Sequence, residues 1–458
     1  MFDNIILNTD SYKPSHSLGY PPGTEYVYSY IESRGGDFDR TVMFGLQMFI
    51  KEYLSKPITQ AMIDEAAEFW AAHGEPFYRE GWEHILVQHK GMLPVSIRAV
   101  PEGTVVPVKN VLATIVNTDP ACWWLPSYLE TALLRAIWYP TTVATNSWHC
   151  KQAIKAALMK SSDDQSQIAF KLHDFGARGV SSMESAAIGG AAHLVNFMGS
   201  DTVSGVLAVR RYYGEHMAGF SIPASEHSTI TSWGRDHEVD AYRNMLRQFA
   251  KPGSLVAVVS DSYDIMNAAA NIWGGVLKDE VIASGATVVV RPDSGDPLTV
   301  PVEVIAALAE KFGYTVNSKG YKVLPACMRV IQGDGINVHT LPLILDNLLA
   351  AGFAADNIAF GMGGVLLQQV NRDTQRFAMK CSAVCVNGEW RDVYKDPKSD
   401  PSKASKRGQL ALINDGEGWQ TVPLEGNAWS DQMVQVFRNG NLRREWTFAE
   451  IRERANKG

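Results

Sequence analysis

A histidine with a carboxylate before it and two hydroxyls after it stands in a polar segment in the middle of the chain. Residues 226–229 read Glu-His-Ser-Thr, so the imidazole belongs to His227 and its acidic neighbour is Glu226. A proline and a serine shortly before them predict a loop that leads into a helix near Thr229. An imidazole at such a junction, beside a carboxylate, is suited to proton or phosphoryl transfer. A structural histidine held by hydrogen bonds is the alternative, and this segment alone leaves both open.

Charged residues and glycines also follow five short apolar segments of the chain. The segments, which predict buried strands, are 168–172, 255–259, 286–290, 328–331 and 357–360. They lead into residues 173–179, 260–264, 291–297, 332–335 and 361–364. Strands of this kind, alternating with helix-like segments, are typical of a parallel α/β sheet or barrel, which carries its site at the carboxyl ends of the strands. A doubly wound open sheet is the alternative, but no GxGxxG sequence opens a helix after the first strand.

The residues at these strand ends favour a sugar-phosphate ligand over an apolar one. Arg178 and Arg291 offer planar guanidinium groups, which suit phosphate oxygens. Glycine-rich turns such as 361–364 free backbone N–H groups for the same purpose. The carboxylates, which suit ribose hydroxyls or Mg²⁺, are Asp174, Asp261, Asp293 and Asp334. Any single aspartate there is equally explained as a turn or cap residue, so the hypothesis depends on the five ends together.

The first 140 residues have a different pattern. We expect a short strand at 5–7, a strand at 25–30 and a small antiparallel sheet within 92–118, where prolines and glycines separate valine-rich runs. A helix is predicted from Thr59 to His73, with Thr59 as its cap and a glycine as its stop. The apolar run 123–138 predicts a packed helix.

Composition and charge exclude several classes of protein. The chain has 458 residues, 46% apolar and 20% charged, as in an ordinary globular protein. A formal net charge of -7 argues against non-specific nucleic-acid binding. Five cysteines without a CxxC pair predict reduced thiols, and Cys381 and Cys385 alone do not make a zinc site. Since neither a signal peptide nor an apolar run of about 18 residues is visible, we expect a cytoplasmic protein without a membrane span.

Six motifs occur in a fixed order, and together they identify a family. They read Asp174-Phe-Gly-Ala-Arg178-Gly, Glu226-His227-Ser-Thr, Ser260-Asp261-Ser-Tyr-Asp264, Arg291-Pro-Asp293-Ser-Gly, Gln332-Gly333-Asp334-Gly and Ala359-Phe-Gly-Met-Gly363-Gly364. In this order they resemble the nicotinate/nicotinamide phosphoribosyltransferase family, and within it the branch that uses nicotinamide. Segments 10–16 and 394–408 match as well, so the resemblance covers nearly the whole chain.

The resemblance implies a fold and a reaction. The fold would be an irregular, TIM-like α/β barrel at 141–381, which carries the active site, beside an α/β sandwich domain formed by 1–140 and 382–458. The reaction would join nicotinamide to 5-phosphoribosyl-1-pyrophosphate, giving nicotinamide mononucleotide and pyrophosphate with Mg²⁺. ATP hydrolysis through a phosphohistidine would be coupled to it, and a homodimer would share each active site between subunits.

The resemblance also assigns roles to individual residues. Phe175 would stack on the nicotinamide ring, and Asp201 would accept a hydrogen bond from its carboxamide. The catalytic residues would be Glu226, His227, Asp261 and Asp293, with the two aspartates also binding Mg²⁺ directly or through water. The ligands of base, ribose and phosphate in the barrel would include Arg178, Arg291, Asp293, Gly333, Asp334, Gly363 and Gly364. The residues that reach in from the partner subunit would be Tyr12, Arg34, Arg372, Lys380, Lys395 and Lys403.

Two other functions remain open at the level of sequence. A nicotinate phosphoribosyltransferase is the first, although the carboxylate of Asp201 would repel the carboxylate of nicotinate. A catalytically silent interaction protein on the same fold is the second, although the charged motif residues are retained. The basic segment 395–407 reads as a solvated loop by composition and as a phosphate-closing loop by resemblance.

Overall fold

The computed structural model describes residues 4–396, 398, 405–416 and 418–458, which form two compact units. The antiparallel unit comprises the described residues of 4–145, 211–215 and 370–458, and the barrel unit comprises 146–210 and 216–369. The sequence placed the boundaries at 140 and 381 and did not separate out 211–215. Lys403 lies outside the described residues.

The barrel unit is built on a parallel sheet of six strands. In spatial order the strands are Gly199–Ser200, Leu172–Asp174, Ile358–Met362, Met328–Gln332, Thr287–Arg291 and Leu255–Val259. Runs such as Val288-Val289-Val290 lack the polar alternation of half-exposed strands, because both faces of the sheet are covered. The α/β class predicted from the sequence is therefore confirmed.

An extended segment, 220–225, closes this sheet into an irregular barrel. At one edge, the amide of Ser200 donates to the carbonyl of Phe220 at 3.0 Å. At the other edge, the amide of Ser225 donates to the carbonyl of Ala257 at 3.0 Å, and the amide of Ala257 donates to the carbonyl of Pro223 at 2.9 Å. Both bridges are parallel, so the segment acts as a seventh strand.

The interior of the barrel is small and apolar. Ala257, Val289 and Ile331 are buried there, with Ile222 of the closing segment packed against them. The ring of Phe175 covers this cluster. The size of the inward side chains limits the lumen to packed side chains, so the site must lie at the rim.

Helices surround the strands of the barrel unit. They are Met183–His193, Val203–Tyr213, His227–Thr231, Glu238–Phe249, Ile265–Asn267, Lys278–Ser284, Val300–Phe312, Thr340–Ala350 and Gly364–Leu367, with a π-helix at Ala268–Val276. Short 3₁₀ turns occur at Ser166–Phe170, Ala177–Gly179, Arg235–His237 and Ala355–Asn357, and a small hairpin pairs Thr315–Val316 with Lys322–Val323.

The antiparallel unit contains a sheet of seven strands. In spatial order they are Glu389–Asp392, Phe377–Val386, Thr24–Ser33, Val111–Asn117, Val95–Ala99, Val434–Arg438 and Asn441–Leu442. Two further pairs join Arg40–Val42 to Val105–Pro107 and Leu410–Asn414 to Trp419–Pro423. Its helices are Leu46–Phe49, Gln60–His73, Arg79–Gln88, Leu125–Tyr128, the first half of Glu130–Ser161, and Phe448–Lys457, with a π-helix at Ile50–Leu54. Its 3₁₀ turns are Ile5–Leu7, Pro14–Leu18, Pro120–Cys122 and Arg372–Thr374.

Several local predictions are confirmed and two are wrong. The helix Gln60–His73 begins at Thr59, whose hydroxyl accepts from the amide of Met62, and ends at Gly74 with a φ of 90°. Residues 5–7 form a 3₁₀ turn instead of a strand, because the side chain of Asn4 caps that turn. Residues 166–170 are also a 3₁₀ turn, so the strand starts only at Leu172. No helix among the described residues has the length and apolar character needed to cross a membrane.

Candidate active site

The carboxyl ends of the barrel strands meet at one rim, because neighbouring strands are parallel. Most of the barrel residues predicted from the sequence occupy this rim or the turns that follow it. They are Phe175, Arg178, Asp201, Glu226, His227, Asp261, Arg291, Asp293, Gly333, Asp334, Gly363 and Gly364.

A hydrogen-bonded network joins three of the rim loops. His227 Nε2 lies 3.0 Å from Asp261 Oδ1, and His227 Nδ1 lies 3.8 Å from Asp293 Oδ2. The other oxygen of Asp261 accepts from the backbone amide of Asp293 at 3.1 Å and from the hydroxyl of Ser294 at 2.5 Å. The Asp261 side chain is only 4% exposed, whereas that of His227 is 45% exposed. The carboxylate is therefore fixed, and the imidazole that it holds faces the open rim.

The partners of the imidazole define its tautomer. A carboxylate accepts hydrogen bonds, so the ring donates from Nε2 to Asp261 when it is neutral. Nδ1 then carries the lone pair, which makes it the nucleophilic nitrogen.

Glu226 does not take the orienting position beside this ring. Its carboxylate accepts from the hydroxyl of Ser228, and its amide donates to the hydroxyl of Thr229 at 3.2 Å. It stands at the N-cap position of the helix His227–Thr231. Of the two carboxylates offered by the sequence for the imidazole, the structure brings Asp261 into contact and uses Glu226 at the helix start.

Arg291 lies next to the network and is partly unpaired. Its Nη2 lies 3.5 Å from Asp293 Oδ2, while its buried Nε has no hydrogen-bond partner among the described residues. A guanidinium with spare donors at a barrel rim is suited to an anionic group of a ligand.

The ring of Phe175 lies between two glycines. A Cβ at Gly361 would come within 2.0 Å of the ring, so only glycine fits there. On the neighbouring strand end, a Cβ at Gly333 would be 3.5 Å from the ring and 3.6 Å from Asp293 Oδ1. The amide of Phe175 donates to the carbonyl of Met362 at 2.9 Å, which fixes its backbone. Phe175 is therefore a positioned aromatic platform beside the carboxylates.

Two aspartates lie near this platform, one exposed and one buried. Asp201 is exposed at the rim, and its Oδ1 accepts from the hydroxyl of Ser221 at 2.6 Å. Asp174 is fully buried, and its Oδ1 accepts from the amide of Gly176 at 2.7 Å. Burial raises the pKa of Asp174 to about 6, and the charge of Asp201 adds to that shift, against hydrogen bonds from Gly176 and Thr202.

Two glycine-bearing turns approach each other beside Arg178. A Cβ at Gly179 would come within 2.7 Å of the Cα of Gly364, so the backbones are in contact. Next to it, no described atom lies within 4 Å of a Cβ position on Gly363, which leaves that residue open. Arg178 is exposed within the turn Ala177–Gly179.

The remaining predicted residues lie in the antiparallel unit, where several cations gather. Partial desolvation lowers the pKa of Lys380; Glu130 opposes that shift, and Arg34, Lys13 and Lys395 add to it. Tyr12 is exposed, and its ring is 5.1 Å from that of His16. Arg372 is half-exposed and pairs with Asp373 at 2.9 Å.

The sequence argument did not assign four residues that shape these sites. Ser294 and Ser221 donate to Asp261 and Asp201, Gly361 makes room for Phe175, and Lys13 joins the cations around Lys380. Three of the four lie within the motifs and segments quoted from the sequence, so a signal for them existed: Ser294, Gly361 and Lys13. No motif marks Ser221, because its role depends on the closure of the barrel.

Two family models match the chain. The model of the nicotinate phosphoribosyltransferase (NAPRTase) family matches residues 170–441, and that of the nicotinamide phosphoribosyltransferase N-terminal domain matches residues 4–97.

Related proteins extend over the full chain. A Xanthomonas campestris protein named nicotinamide phosphoribosyltransferase is 58% identical over 99% of this chain and 98% of its own length. An Acinetobacter baylyi protein of the same name is 32% identical over 98% of this chain and 97% of its own length.

Two solved structures resemble the fold. The nicotinate-nucleotide pyrophosphorylase of Pyrococcus furiosus has a TM-score of 0.63 at 16% identity and covers 100% of this chain and 96% of its own. Human nicotinic acid phosphoribosyltransferase has a TM-score of 0.58 at 17% identity and covers 98% of this chain and 93% of its own. At these identities the likeness concerns the fold alone.

The buried carboxyl of Asp174 predicts a pH-dependent effect on stability. Because its pKa is about 6 in the folded state and about 4 when unfolded, the folded protein binds more protons between these values, and its stability falls as the pH rises through them. Asp174→Asn keeps the shape and removes the titration. The difference in unfolding free energy between the variant and wild type should therefore change by about 3 kcal/mol in favour of the variant as the pH rises from 4 to 7. Urea unfolding at each pH measures it. The exposed Asp346→Asn is the control, and parallel curves for Asp174→Asn and wild type would contradict the prediction.

Proposed function

This chain belongs to the nicotinate phosphoribosyltransferase family, and on that premise we propose the reaction that its site performs. The enzyme joins nicotinamide to 5-phosphoribosyl-1-pyrophosphate and releases nicotinamide mononucleotide and pyrophosphate. The choice of nicotinamide is supported by the full-length relatives of that name and by the matching N-terminal domain. The observation that carries the proposal is the aromatic platform of Phe175 at the rim, close to the network of His227, Asp261 and Asp293.

The chemistry is a substitution at the anomeric carbon of ribose. The bond from that carbon to pyrophosphate breaks, and a bond to the pyridine nitrogen forms through a transition state with oxocarbenium character. Such a reaction needs no protein nucleophile on carbon. It needs positioning of the base and stabilisation of the departing charge.

We place the base on Phe175, with Asp201 facing its carboxamide. A carboxylate accepts a hydrogen bond from the amide NH₂, and such a charged hydrogen bond contributes about 1.5–3 kcal/mol. The hydroxyl of Ser221 occupies Oδ1 of Asp201 and fixes the carboxylate. The ribose lies towards Gly333 and Asp334, and the 5′-phosphate lies at Gly363 and Gly364 with Arg178 and Arg291 nearby.

Of the two aspartates proposed to bind Mg²⁺, Asp293 is better suited to direct contact than Asp261. Both oxygens of Asp261 are engaged by protein donors, so this residue would hold the ion through water. The carboxylate oxygen Oδ2 of Asp293 is only loosely paired, at 3.5 Å from Arg291 and 3.8 Å from His227, and suits a hard cation directly. When bound, the ion supplies positive charge for the pyrophosphate.

We further propose that ATP is a co-substrate that phosphorylates His227. Nδ1 would form a bond to the γ-phosphorus, the bond from that phosphorus to the bridging oxygen would break, and ADP would leave. Asp261 would stabilise the ring through Nε2, and the exposure of the imidazole gives the nucleotide access.

A homodimer with shared sites is the third element of the proposal. The barrel unit supplies the platform and the carboxylates, whereas the cations Arg34, Arg372, Lys380 and Lys395 belong to the antiparallel unit. These cations would complete the site of the partner subunit. For the proposed phosphate-closing loop 395–407, the support among the described residues is that Lys395 and Ser405 exchange hydrogen bonds. The proposal also places the protein in the cytoplasm, where its five free thiols would stay reduced.

The first test concerns the base. Purified enzyme with phosphoribosyl pyrophosphate should turn over nicotinamide far better than nicotinate. Asp201→Asn should lower kcat/KM for nicotinamide and raise it for nicotinate, shifting their ratio by about 10-fold or more. The control is Asp346→Asn, an exposed aspartate on the helix Thr340–Ala350. An unchanged ratio in folded Asp201→Asn would refute the role of Asp201, and absence of both activities in wild type would refute the proposed function.

The second test concerns His227. His227→Ala should abolish ATP turnover and the label transferred from γ-labelled ATP to protein. Asp261→Asn should reduce both by roughly 10- to 100-fold, as expected for a group that orients a reactive histidine. Glu226→Gln should have a smaller effect, because its carboxylate contacts Ser228 instead. The control His237→Ala removes another paired histidine, which lies 2.9 Å from Asp240. Wild-type ATP coupling in His227→Ala would exclude the phosphohistidine.

The third test concerns the shared site. Arg372→Ala and His227→Ala, each inactive alone, are mixed under conditions that exchange subunits. About a quarter of all sites should then be intact, because half of the dimers are mixed and each has one complete site. A mixture of His227→Ala with Arg291→Ala is the control, since both changes affect the barrel unit and no complete site results. Failure of the first mixture to recover activity after verified exchange would argue for sites within single subunits.

A further inference from the structure

A second cluster of reactive side chains lies in the antiparallel unit, and none of its members takes part in the proposed reaction. It combines a histidine within the helix Arg79–Gln88 and the histidine that follows this helix with an aspartate and a cysteine at the turn Pro120–Cys122. The residues are His84, His89, Asp119 and Cys122.

The two imidazoles converge on one carboxylate oxygen. His84 Nε2 lies 2.7 Å and His89 Nε2 lies 2.6 Å from Asp119 Oδ2. The other oxygen of Asp119 accepts from the amide of Ala121 at 2.9 Å, which fixes the carboxylate at the start of the turn. Burial would raise the pKa of Asp119, but hydrogen bonds from both histidines and from Ala121 lower it to about 2, so it is a carboxylate at neutral pH.

A buried thiol completes the cluster. The ligand atoms of Cys122, His84 and Asp119 all lie within 4.8 Å of one another. Cys122 is fully buried, whereas the side chains of the histidines and of Asp119 are 21–33% exposed. The cluster therefore has a buried sulfur on one side and access from solvent on the other.

We propose that His84, His89, Asp119 and Cys122 form a binding site for a zinc-class divalent cation. Two imidazoles, one carboxylate and one thiolate are a ligand set that Zn²⁺ binds with tetrahedral geometry. At metal–ligand bonds of about 2.0–2.3 Å, neighbouring ligand atoms of a tetrahedron are about 3.3–3.8 Å apart. The ligand atoms of His84, Asp119 and Cys122 already lie within 4.8 Å of one another, and His89, whose Nε2 lies 2.6 Å from Asp119, would shift to become the fourth ligand.

Metal binding replaces protons with the cation. The Cys122 thiol loses its proton to solvent as the sulfur–metal bond forms, and each histidine turns a nitrogen lone pair towards the metal after its proton moves to the other ring nitrogen. Burial, with the charge of Asp119, raises the pKa of the Cys122 thiol to about 12, so the thiol stays protonated when no cation is present. A dication in the cluster supplies the charge that favours the thiolate.

The position of the site indicates a structural role. The helix Arg79–Gln88 and its C-cap residue contribute the two histidines, and the turn after the strand Val111–Asn117 contributes the other two ligands. The side chain of Asn117 donates to the carbonyl of Asp119 at 2.8 Å, so the turn is already tied to that strand. A bound cation would join the helix to the sheet and should stabilise the folded enzyme.

Metal content and cobalt absorption test the proposal on the full-length enzyme. After dialysis against a chelator, wild type should bind about one Zn²⁺ per chain, and its thermal midpoint should rise with added Zn²⁺. His84→Gln and Asp119→Asn should each lower Zn²⁺ affinity by at least about 10-fold. With Co²⁺ in place of Zn²⁺, wild type should show a thiolate-to-cobalt charge-transfer band, which Cys122→Ser should lack.

Two matched variants serve as controls. Cys385→Ser removes another thiol beside a carboxylate, with its Sγ 3.6 Å from Glu25, and should keep the cobalt band. His73→Ala removes another histidine of the same unit and should keep the Zn²⁺ affinity. If Cys122→Ser fails to fold, His89→Gln provides the affinity test, since His89 is partly exposed. Equal Zn²⁺ affinity in wild type and the histidine variants, or Co²⁺ binding without a thiolate band, would overturn the proposal.

Discussion

The hydrogen bonds of the Asp261 carboxylate are the constraint on which the rim network depends. One oxygen holds His227, and the other holds the amide of Asp293 and the hydroxyl of Ser294. Three loops that follow different strands are thereby fixed by one buried charge. Each such charged hydrogen bond contributes about 1.5–3 kcal/mol. Because both oxygens are used, Asp261 orients other groups, and in the proposal direct ligand contact is made by Asp293 and Arg291.

The edge of the barrel sheet near Asp174 and Asp201 is made of very short strands. Leu172–Asp174 has three residues and Gly199–Ser200 has two. The segment 220–225 supplies the missing edge, and it also carries Ser221, which fixes Asp201. The same segment therefore closes the barrel and orients Asp201. The glycine at 361 has a similar double effect, since it continues a strand and admits the ring of Phe175.

Sequence reasoning identified the regular strands and most rim residues, and it failed where the local pattern was weak. The strands Leu255–Val259, Thr287–Arg291 and Met328–Gln332 are runs of β-branched and apolar residues, so their pattern was sufficient. Gly199–Ser200 and the closing segment have no such pattern, because their extended form comes from pairing with distant strands. Residues 5–7 are apolar, but the hydrogen bond from the Ile6 amide to the Asn4 side chain favours a turn. The contacts of Asp261 with Ser294, rather than with residues near it in sequence, required the fold.

The charges at the rim explain why the barrel unit alone is poorly suited to its substrate. The rim and its turns carry two arginines, Arg178 and Arg291, against five carboxylates, which are Asp201, Glu226, Asp261, Asp293 and Asp334. Phosphoribosyl pyrophosphate is itself strongly anionic, so its approach to this rim would be opposed by repulsion. Backbone amides of the glycine turns offset part of that repulsion without adding charge. The rest of the repulsion has to be balanced by cations. In the proposal these cations are Mg²⁺ at Asp293 and the lysines and arginines around Lys380. In the proposal, the metal and these basic residues would therefore be conditions for binding the pyrophosphate, and the carboxylates would hold the imidazole, the ribose and the base.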